Sequence, residues 1–378
     1  MVSVSLADNN EEKSTDLKKF KGGVTDHSIS KANDNDHDDD DHDQDDDNDG
    51  DHDDDDHDDD NDHDDDNNDH DDDDNNDDNN DGDDDHDDDN NDDGDDEKKT
   101  LRVHELKKGN LTVKFTNRGA SIMSLLFPNI NASKKEKAAA NDGKNTIHGG
   151  TKESSDVIWR VKKHKHNGKK PYIVFTYTTS PDGDQGKLEV TVTYKLVGEN
   201  RLKMVMQAKA KEKTTPLNLV HRSYWNLGGH NNEDIFSEEI QILGSGYTHL
   251  DDNLTPTGKI LAVKGTPFDF RQLRPIKDNI NELKTGYGIN YCLDGVANKM
   301  RKVVELVDNK SKIKMELSTD QSGLRLKTTK PKNGSVHKAY SGLCLESHAI
   351  NYQYRSSQII EPGETYKHTM LFKFSFVP

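Results

Sequence analysis

Apolar and polar residues alternate one by one along much of the chain after residue 98. Between residues 188 and 208, two alternating runs flank Gly198-Glu199-Asn200, a segment with the glycine and asparagine typical of tight turns. Because successive strand side chains point to opposite faces, each run buries one face and exposes the other. The pattern predicts an antiparallel β-hairpin with one face in a core. Its apolar positions are Leu188, Val190, Val192, Tyr194 and Leu196 in the first run, and Leu202, Met204, Met206 and Ala208 in the second.

The same two-residue period recurs in later segments of the chain. It runs through residues 313–317 and, near the C-terminal end, through residues 370–376. No sustained 3.6-residue periodicity, which would indicate amphipathic helices, follows residue 98. Many short strands separated by Gly, Asn and Asp turns predict an all-β fold, either a sandwich or a barrel.

The N-terminal part of the chain has a different composition. Residues 1–33 are polar and are expected to form a flexible head. Residues 34–97 contain 41 Asp and one Glu, interleaved with Asn and seven His, and they contain no Lys or Arg. Such a segment cannot bury enough apolar surface to offset its loss of conformational entropy, so we expect a disordered acidic tract. The folded domain is then expected over residues 98–378.

The formal net charge of −23 hides opposite charges in the two parts of the chain. Outside the tract, 32 of the 74 acidic residues remain against 51 Lys and Arg, which is an excess of 19 positive charges. The tract is interpreted as a solvated extension. The alternatives are loose binding of divalent cations such as Ca²⁺, contact with its own basic domain, or binding of a protein partner. The lysines are scattered over strands and turns without a recognition motif, so no nucleic-acid partner is expected.

Cysteine usage and the N-terminal residues bear on the cellular compartment. The two cysteines, Cys292 and Cys344, are too few for a disulfide framework, and a buried structural thiol is expected at Cys344. The chain has no basic region followed by an apolar run, and no segment of membrane-spanning length. We therefore expect a cytoplasmic protein without a membrane partner, secreted only if the true start lies upstream.

No specific metal site is predicted, since no loop has the ligand spacing of an EF-hand.

Several short blocks that combine glycine, aromatic and polar residues follow one another through residues 98–378. They are residues 115–122 (FTNRGASI), 147–150 (IHGG), 218–230 (NLVHRSYWNLGGH), 254–260 (LTPTGKI), 266–271 (TPFDFR), 286–291 (GYGINY), 342–346 (GLCLE) and 362–366 (PGETY). Each block alone is a weak signal. Together, and in this order, they resemble the aldose 1-epimerase (galactose mutarotase) family.

This resemblance implies a fold and a reaction. The fold is a large antiparallel β-sandwich of the galactose mutarotase type, with a sugar cleft on one concave sheet. Trp159 and Trp225 are expected in its core or on the floor of the cleft. The implied reaction interconverts the α and β anomers of free hexoses, galactose or glucose, without a cofactor. A base takes the proton from the anomeric hydroxyl while an acid protonates the ring oxygen, so the ring opens and can close again inverted.

The resemblance also assigns roles to single residues. Glu346 matches the family's base, and His148 matches a histidine that binds the sugar. Arg222 stands at the position of the proton-donating histidine, and Gly288 stands at the position of a sugar-binding aspartate. Tyr224 is expected to line the same cleft as Arg222. An ordinary solvent-facing carboxylate at Glu346 and an ordinary loop histidine at His148 are the alternatives.

These departures from the family pattern change the expected activity. A guanidinium does not release a proton near neutral pH, so Arg222 cannot act as the acid. The adjacent His221 is expected to face away from the cleft, because neighbouring strand residues point to opposite faces. The segment that supplies the family's substrate-binding arginine has no counterpart between Pro128 and Asn141, and Arg222 could take over that contact. The sequence predicts an epimerase with a partly degraded catalytic set, whose activity is weak or lost as in a pseudoenzyme. The alternative is a catalytically silent module that binds a carbohydrate or another protein.

Overall fold

The structure is a computed structural model. It describes residues 3–5, 100–128, 144–148, 157–179, 186–229, 232, 234–251, 256–283, 286–328, 339–350 and 358–377. These residues all fall within one compact unit, Met1–Ser14 together with Gly94–Pro378. The predicted head (apart from residues 3–5), the acidic tract at residues 34–97 and the polar segment at residues 129–137 lie outside the described residues.

Strands make up nearly all of the regular structure in these ranges, with one 3-10 helix at Ile276–Glu282. Among the described residues, no helix is long and apolar enough to span a membrane. In chain order the strands are β1 (Ser3–Ser5), β2 (Val103–Lys108), β3 (Leu111–Thr116), β4 (Ser121–Leu126), β5 (Lys144–His148), β6 (Arg160–Lys165), β7 (Tyr172–Thr178), β8 (Leu188–Val197), β9 (Arg201–Ala210), β10 (Thr215–Arg222), β11 (Tyr224–Asn226), β12 (Glu238–Ile242), β13 (Gly246–Leu250), β14 (Pro256–Ala262), β15 (Arg274–Pro275), β16 (Gly288–Cys292), β17 (Arg301–Asp308), β18 (Ile313–Thr319), β19 (Gly323–Thr328), β20 (Leu343–His348), β21 (Gln358–Ile360) and β22 (Thr365–Phe376).

Two large antiparallel sheets contain most of these strands. A nine-stranded sheet has the order β15-β12-β17-β18-β22-β9-β8-β7-β6, and a seven-stranded sheet has the order β1-β11-β20-β19-β16-β13-β14. Two three-stranded sheets, β2-β3-β4 and β21-β10-β5, accompany them. Only Ser223 separates β10 from β11, so the chain passes directly from the second small sheet into the seven-stranded one.

The hairpin predicted from the alternating pattern is formed by β8 and β9. The two strands pair in unbroken register from Leu188 opposite Ala210 to Val197 opposite Arg201, and every second side chain of β8 is buried. The connecting turn has Gly198 at φ 54° and Asn200 at φ 58°, both in the left-handed region that these two residue types tolerate. The hairpin prediction is therefore confirmed, and the alternating segments at residues 313–317 and 370–376 lie in β18 and β22.

The core lies between the two large sheets. Trp225 on β11 packs against Phe372 and Phe374 on β22, with ring centroids 5.0 and 5.9 Å apart, and all three side chains are buried. Aromatic rings at this spacing stabilise a core beyond the area that they bury. Trp159 is also buried, with its ring centroid 5.5 Å from that of Tyr177. Both tryptophans are thus core residues, and the predicted β-sandwich is confirmed.

The turn between β8 and β9 allows a test of the backbone conformation. Replacing Gly198 by Ala is expected to lower the free energy of unfolding by about 1 kcal/mol, because a Cβ disfavours the left-handed region. Steric clash is not the reason, since a Cβ there meets only the Arg201 side chain, at 3.7 Å. Gly288→Ala is the matched control, because a Cβ at Gly288 meets nothing within 4 Å and its φ is not left-handed. Urea denaturation compares the two variants, and equal losses of stability would contradict the backbone argument.

Candidate active site

The seven-stranded sheet has an apolar face and a polar face. Leu326 on β19 points into the core between the sheets. Its neighbour Arg325 pairs with Glu346 on β20, and on the other side Lys327 pairs with Cys344. Residues directly opposite each other on antiparallel strands share a face, and adjacent residues point to opposite faces. The polar face therefore carries two cationic side chains, a carboxylate and a thiol side by side.

Arg222, the last residue of β10, reaches this face and contacts Glu346. Its Nε donates a hydrogen bond to Glu346 Oε1 at 2.6 Å. Only 10% of the Arg222 side chain and 4% of the Glu346 side chain are exposed. The structure thus brings Arg222 and Glu346, the residues predicted at the family's donor and base positions, into direct contact as a buried ion pair.

Opposing effects act on the pKa of each partner in this pair. Burial by itself raises the pKa of Glu346, but the guanidinium of Arg222, with Arg325 behind it, stabilises the carboxylate and lowers the pKa to about 2. For Arg222, burial favours the neutral form, yet the Glu346 carboxylate outweighs it and raises the pKa above the ordinary arginine value. Both groups are therefore charged, and paired with each other, at neutral pH.

Two further protic groups lie beside the ion pair. Tyr224 on β11 pairs with Cys344, and the Cys344 thiol donates to Glu346 Oε1 at 3.5 Å. Burial is the main cause that raises the pKa of both Tyr224 and Cys344, and the negative charge of Glu346 adds to it. Cys344 is thus a buried, protonated thiol, as the sequence suggested. Neither group ionises near neutral pH.

His221 lies on the other side of β10, as the alternation predicts. Its Nε2 is hydrogen-bonded with Ser223 Oγ at 2.6 Å, and its ring centroid lies 6.2 Å from that of Tyr194 in the nine-stranded sheet. Burial, and after it the neighbouring His368, lowers the pKa of His221 to about 3. His221 is therefore a neutral core histidine.

Gly288 leaves open space on the polar face. It is the first residue of β16 and pairs with Lys327 on β19. A Cβ built on Gly288 would meet no atom within 4 Å, and the residue is exposed. The position predicted to match the family's aspartate is thus unfilled and lies directly opposite a lysine.

His148 is the last residue of β5, which pairs with β10. Its partner in the register is Asn218, four residues before Arg222, which corresponds to about 13 Å along a strand. The backbone of His148 is therefore displaced along β10 from the ion pair of Arg222 and Glu346. Its contact with a sugar stays a prediction.

Three polar residues of this face carry no family signature in the sequence. Arg325 and Lys327 alternate with leucines in β19, a pattern that could have placed them on the polar face. His348 lies two residues after Glu346 on the same strand, with its Nδ1 hydrogen-bonded to the backbone oxygen of Glu346 at 3.1 Å. No signal in the sequence indicates that β19 and β20 pair in the register that joins these groups to Glu346.

The chemistry of this face is that of a polar binding site. Within the described ranges, no group of three or more His, Cys, Asp or Glu side chains is arranged to hold a metal ion. The face offers one carboxylate as an acceptor and guanidinium, ammonium and imidazole groups as donors. Such convergent polar groups orient a ligand that carries several hydroxyls.

Sequence comparison relates the chain to known proteins. A sequence-family model described as "Aldose 1-epimerase" matches residues 131–373. Galactose mutarotase of Bos taurus is 34% identical over 257 residues, which cover 64% of this chain and 72% of that protein. Aldose 1-epimerase of Haemophilus influenzae is 28% identical over 229 residues, which cover 57% of this chain and 64% of that protein.

Solved structures show the same fold at lower sequence identity. The aldose epimerase homologue of C. elegans has a TM-score of 0.63 and 20% identity, and the match covers 74% of this chain and 100% of that one. The galactose 1-epimerase of Lactobacillus acidophilus has a TM-score of 0.58 and 21% identity over the same shares of the two chains. The family match spans most of the folded domain, and the mutarotases match over most of their own length. The chain therefore belongs to the aldose 1-epimerase family.

Proposed function

We propose that this chain binds a sugar ring on the polar face of the seven-stranded sheet and has little or no epimerase activity. The observation that carries this proposal is the 2.6 Å hydrogen bond from Arg222 Nε to Glu346 Oε1. The names of the relatives, galactose mutarotase and aldose 1-epimerase, indicate the ligand class. Galactose and glucose are accordingly the first sugars to test.

The proton acceptor is impaired by its partner. Anomer interconversion begins when a base takes the proton from the anomeric hydroxyl, and a general base works best when its pKa lies near the operating pH. Burial would raise the pKa of Glu346, but Arg222 and Arg325 outweigh it and hold the pKa at about 2. So weak a base, with one oxygen already bonded to a guanidinium, accepts a proton poorly.

The proton donor is missing as well. The ring oxygen must receive a proton in the same step, and Arg222 and Cys344 contact the acceptor, with Tyr224 opposite Cys344. The pKa of each of these three groups is raised above its ordinary value, so each holds its proton more tightly than usual. The loss of one well-placed general acid corresponds to about 10²- to 10⁴-fold in rate.

An active epimerase with a relocated donor is the second candidate, and two side chains of the polar face favour it. His348 lies on the same strand face as Glu346, and histidine is the commonest general acid–base residue of enzymes. Burial, and after it the charge of Arg325, lowers the pKa of the Lys327 ammonium. Either group could deliver a proton in place of the absent histidine.

Polarimetry on the purified full chain tests the proposal. With α-galactose or α-glucose, we expect equilibration at the spontaneous rate, unchanged in the Glu346→Gln variant. Acceleration by the unmodified chain that Glu346→Gln abolishes would contradict the proposal, and His348→Gln and Lys327→Gln would then identify the donor. Thermal unfolding in the presence of sugars tests binding separately. The binding half of the proposal is wrong if no neutral or charged sugar shifts the unfolding temperature.

A further inference from the structure

The polar face carries an excess of positive charge around the proposed sugar site. Among the described residues, Arg222, Arg325 and Lys327 share this face with a single carboxylate, that of Glu346. The charges of Arg325 and Arg222 both act on Lys327, and the charge of Arg325 also acts on Glu346, so the four groups belong to one electrostatic cluster. Three cations against one anion leave an excess of two positive charges.

The outer surface of the nine-stranded sheet shows how the chain balances cations elsewhere. There Lys302 and Lys314 lie 3.2 and 3.4 Å from the carboxylate of Glu305, and Lys373 lies 3.2 Å from that of Glu316. Each of these exposed or half-exposed lysines therefore has a carboxylate partner. The excess on the polar face contrasts with this charge-balanced cluster.

Arg325 in particular forms no ion pair with any described residue. Its register partner is Glu346, but Glu346 gives its Oε1 to Arg222. Among the described residues, Arg325 Nε is buried and has no hydrogen-bond partner. Neither Arg325 nor Lys327 takes part in an ion pair within these ranges. Burying a charged N–H group without an acceptor is unfavourable, so such groups in folded proteins normally meet an anion, a polar group or water.

The space for an acceptor lies beside these cations. Gly288 stands directly opposite Lys327, and a side chain at Gly288 would meet nothing within 4 Å. The family's aspartate at this position would neutralise a neighbouring cation. Here the carboxylate is absent from the chain, while the cations remain.

We propose that the ligand of this polar face is an anionic sugar, a hexose that carries a phosphate or a carboxylate, with its anionic group held by Arg325 and Lys327 over Gly288. This inference rests on the proposed function, because it assumes that the polar face binds a sugar ring. The ligand supplies the negative charge that the chain itself has lost. A guanidinium and an ammonium suit both oxyanions, because each donates several charge-assisted hydrogen bonds.

Titration calorimetry on the full chain at fixed ionic strength tests this inference. The probes are galactose, galactose 6-phosphate and galacturonate, with inorganic phosphate as the ring-free control. We expect at least one charged sugar to bind about 10- to 100-fold more tightly than galactose, the range of one or two charge-assisted hydrogen bonds. Comparing galactose 6-phosphate with galacturonate shows whether the site prefers a phosphate or a carboxylate. The ionic strength is held constant because salt screens the attraction.

Variants connect the effect to the named residues. Arg325→Gln and Lys327→Gln should each lose most of the preference for the charged sugar over galactose, because the anionic group then lacks one of its cationic partners. Lys203→Gln is the matched control, since Lys203 is a half-buried strand lysine in the nine-stranded sheet. It should change no affinity. Thermal unfolding of each variant confirms that it is folded.

The outcomes separate this inference from the proposed function. Equal affinity for galactose and for both charged sugars would overturn the inference and leave the sugar-binding proposal intact. Inorganic phosphate that binds as tightly as the charged sugars would also overturn it, because the ring would then contribute nothing. A preference that survives in both Arg325→Gln and Lys327→Gln would assign the anion to another surface. Absence of binding by all four probes would refute the proposed function itself.

Discussion

The double variant Arg222→His/Gly288→Asp is expected to accelerate the mutarotation of α-galactose by about 10²- to 10⁴-fold over the unmodified chain. The first substitution removes the guanidinium that occupies Glu346 Oε1 and places a titratable imidazole in its stead. The pKa of Glu346, now held at about 2, would rise toward the range in which a carboxylate is a useful base. The second substitution fills the open space at Gly288 and partly neutralises Lys327.

Single variants and a base knock-out control this experiment. Gly288→Asp alone should not accelerate the reaction, because Arg222 still fills the donor position. Adding Glu346→Gln to the double variant should return the rate to the spontaneous one. A folded double variant that remains inactive would show that the ion pair is not what limits catalysis.

Arg222→Met is expected to lower the free energy of unfolding by about 3–5 kcal/mol at neutral pH, the range for removing one partner of a buried ion pair. The Glu346 carboxylate would remain buried, with the charge of Arg325 as the main remaining compensation. Lys302→Met is the matched surface control, since Lys302 lies 3.2 Å from Glu305 but is 42% exposed. An exposed pair of this kind contributes less than about 1 kcal/mol. Chemical denaturation of both variants measures the difference.

The pH dependence of stability has a defined sign. The folded-state pKa of Glu346 is about 2, below the ordinary value of 4.5. A carboxyl whose pKa is lowered by folding contributes stability that is fully present above pH 4.5 and is lost as the pH falls through about 2. The deficit of Arg222→Met should therefore be largest at neutral pH and should shrink toward acid, where Glu346 becomes protonated in the variant.

A double-mutant cycle isolates the pair itself. Arg222→Met/Glu346→Gln should recover much of the stability lost in Arg222→Met, because no buried charge is then left without its partner. If the double variant is as unstable as the single one, lost packing of the arginine stem explains the effect and the electrostatic account is wrong.

One contact accounts for both expected results. The guanidinium of Arg222 neutralises the buried Glu346, and under the proposed function the same hydrogen bond withholds Glu346 from a sugar hydroxyl. Restoring the catalytic pair should therefore lower stability while it raises activity. This opposition of stability and activity is common at active sites, where charges are held in unfavourable surroundings for the sake of the reaction.

The sequence by itself determined the fold class and the family. The alternation from Leu188 to Ala208 requires a hairpin with one buried face, since strand side chains have a period of two, and the Gly198 turn closes it. The same local rule placed His221 and Arg222 on opposite faces of β10, as the structure shows. Ordered short motifs placed the chain among the aldose 1-epimerases, and the match over residues 131–373 agrees. These features depend on residues that are close together along the chain or on the order of short motifs, so they can be read from the sequence alone.

Only the tertiary structure decided which charged groups meet. Glu346 and Arg222 are far apart in the sequence, and their 2.6 Å contact depends on how β10 passes beside β20. Arg325 and Lys327 lie next to Glu346 because of the register in which β19 pairs with β20. A shift of one residue in that register would have turned both cations into the core. The hydrogen bond that occupies Glu346 Oε1 and the excess of positive charge on this face therefore come from strand pairing, which no local sequence pattern encodes.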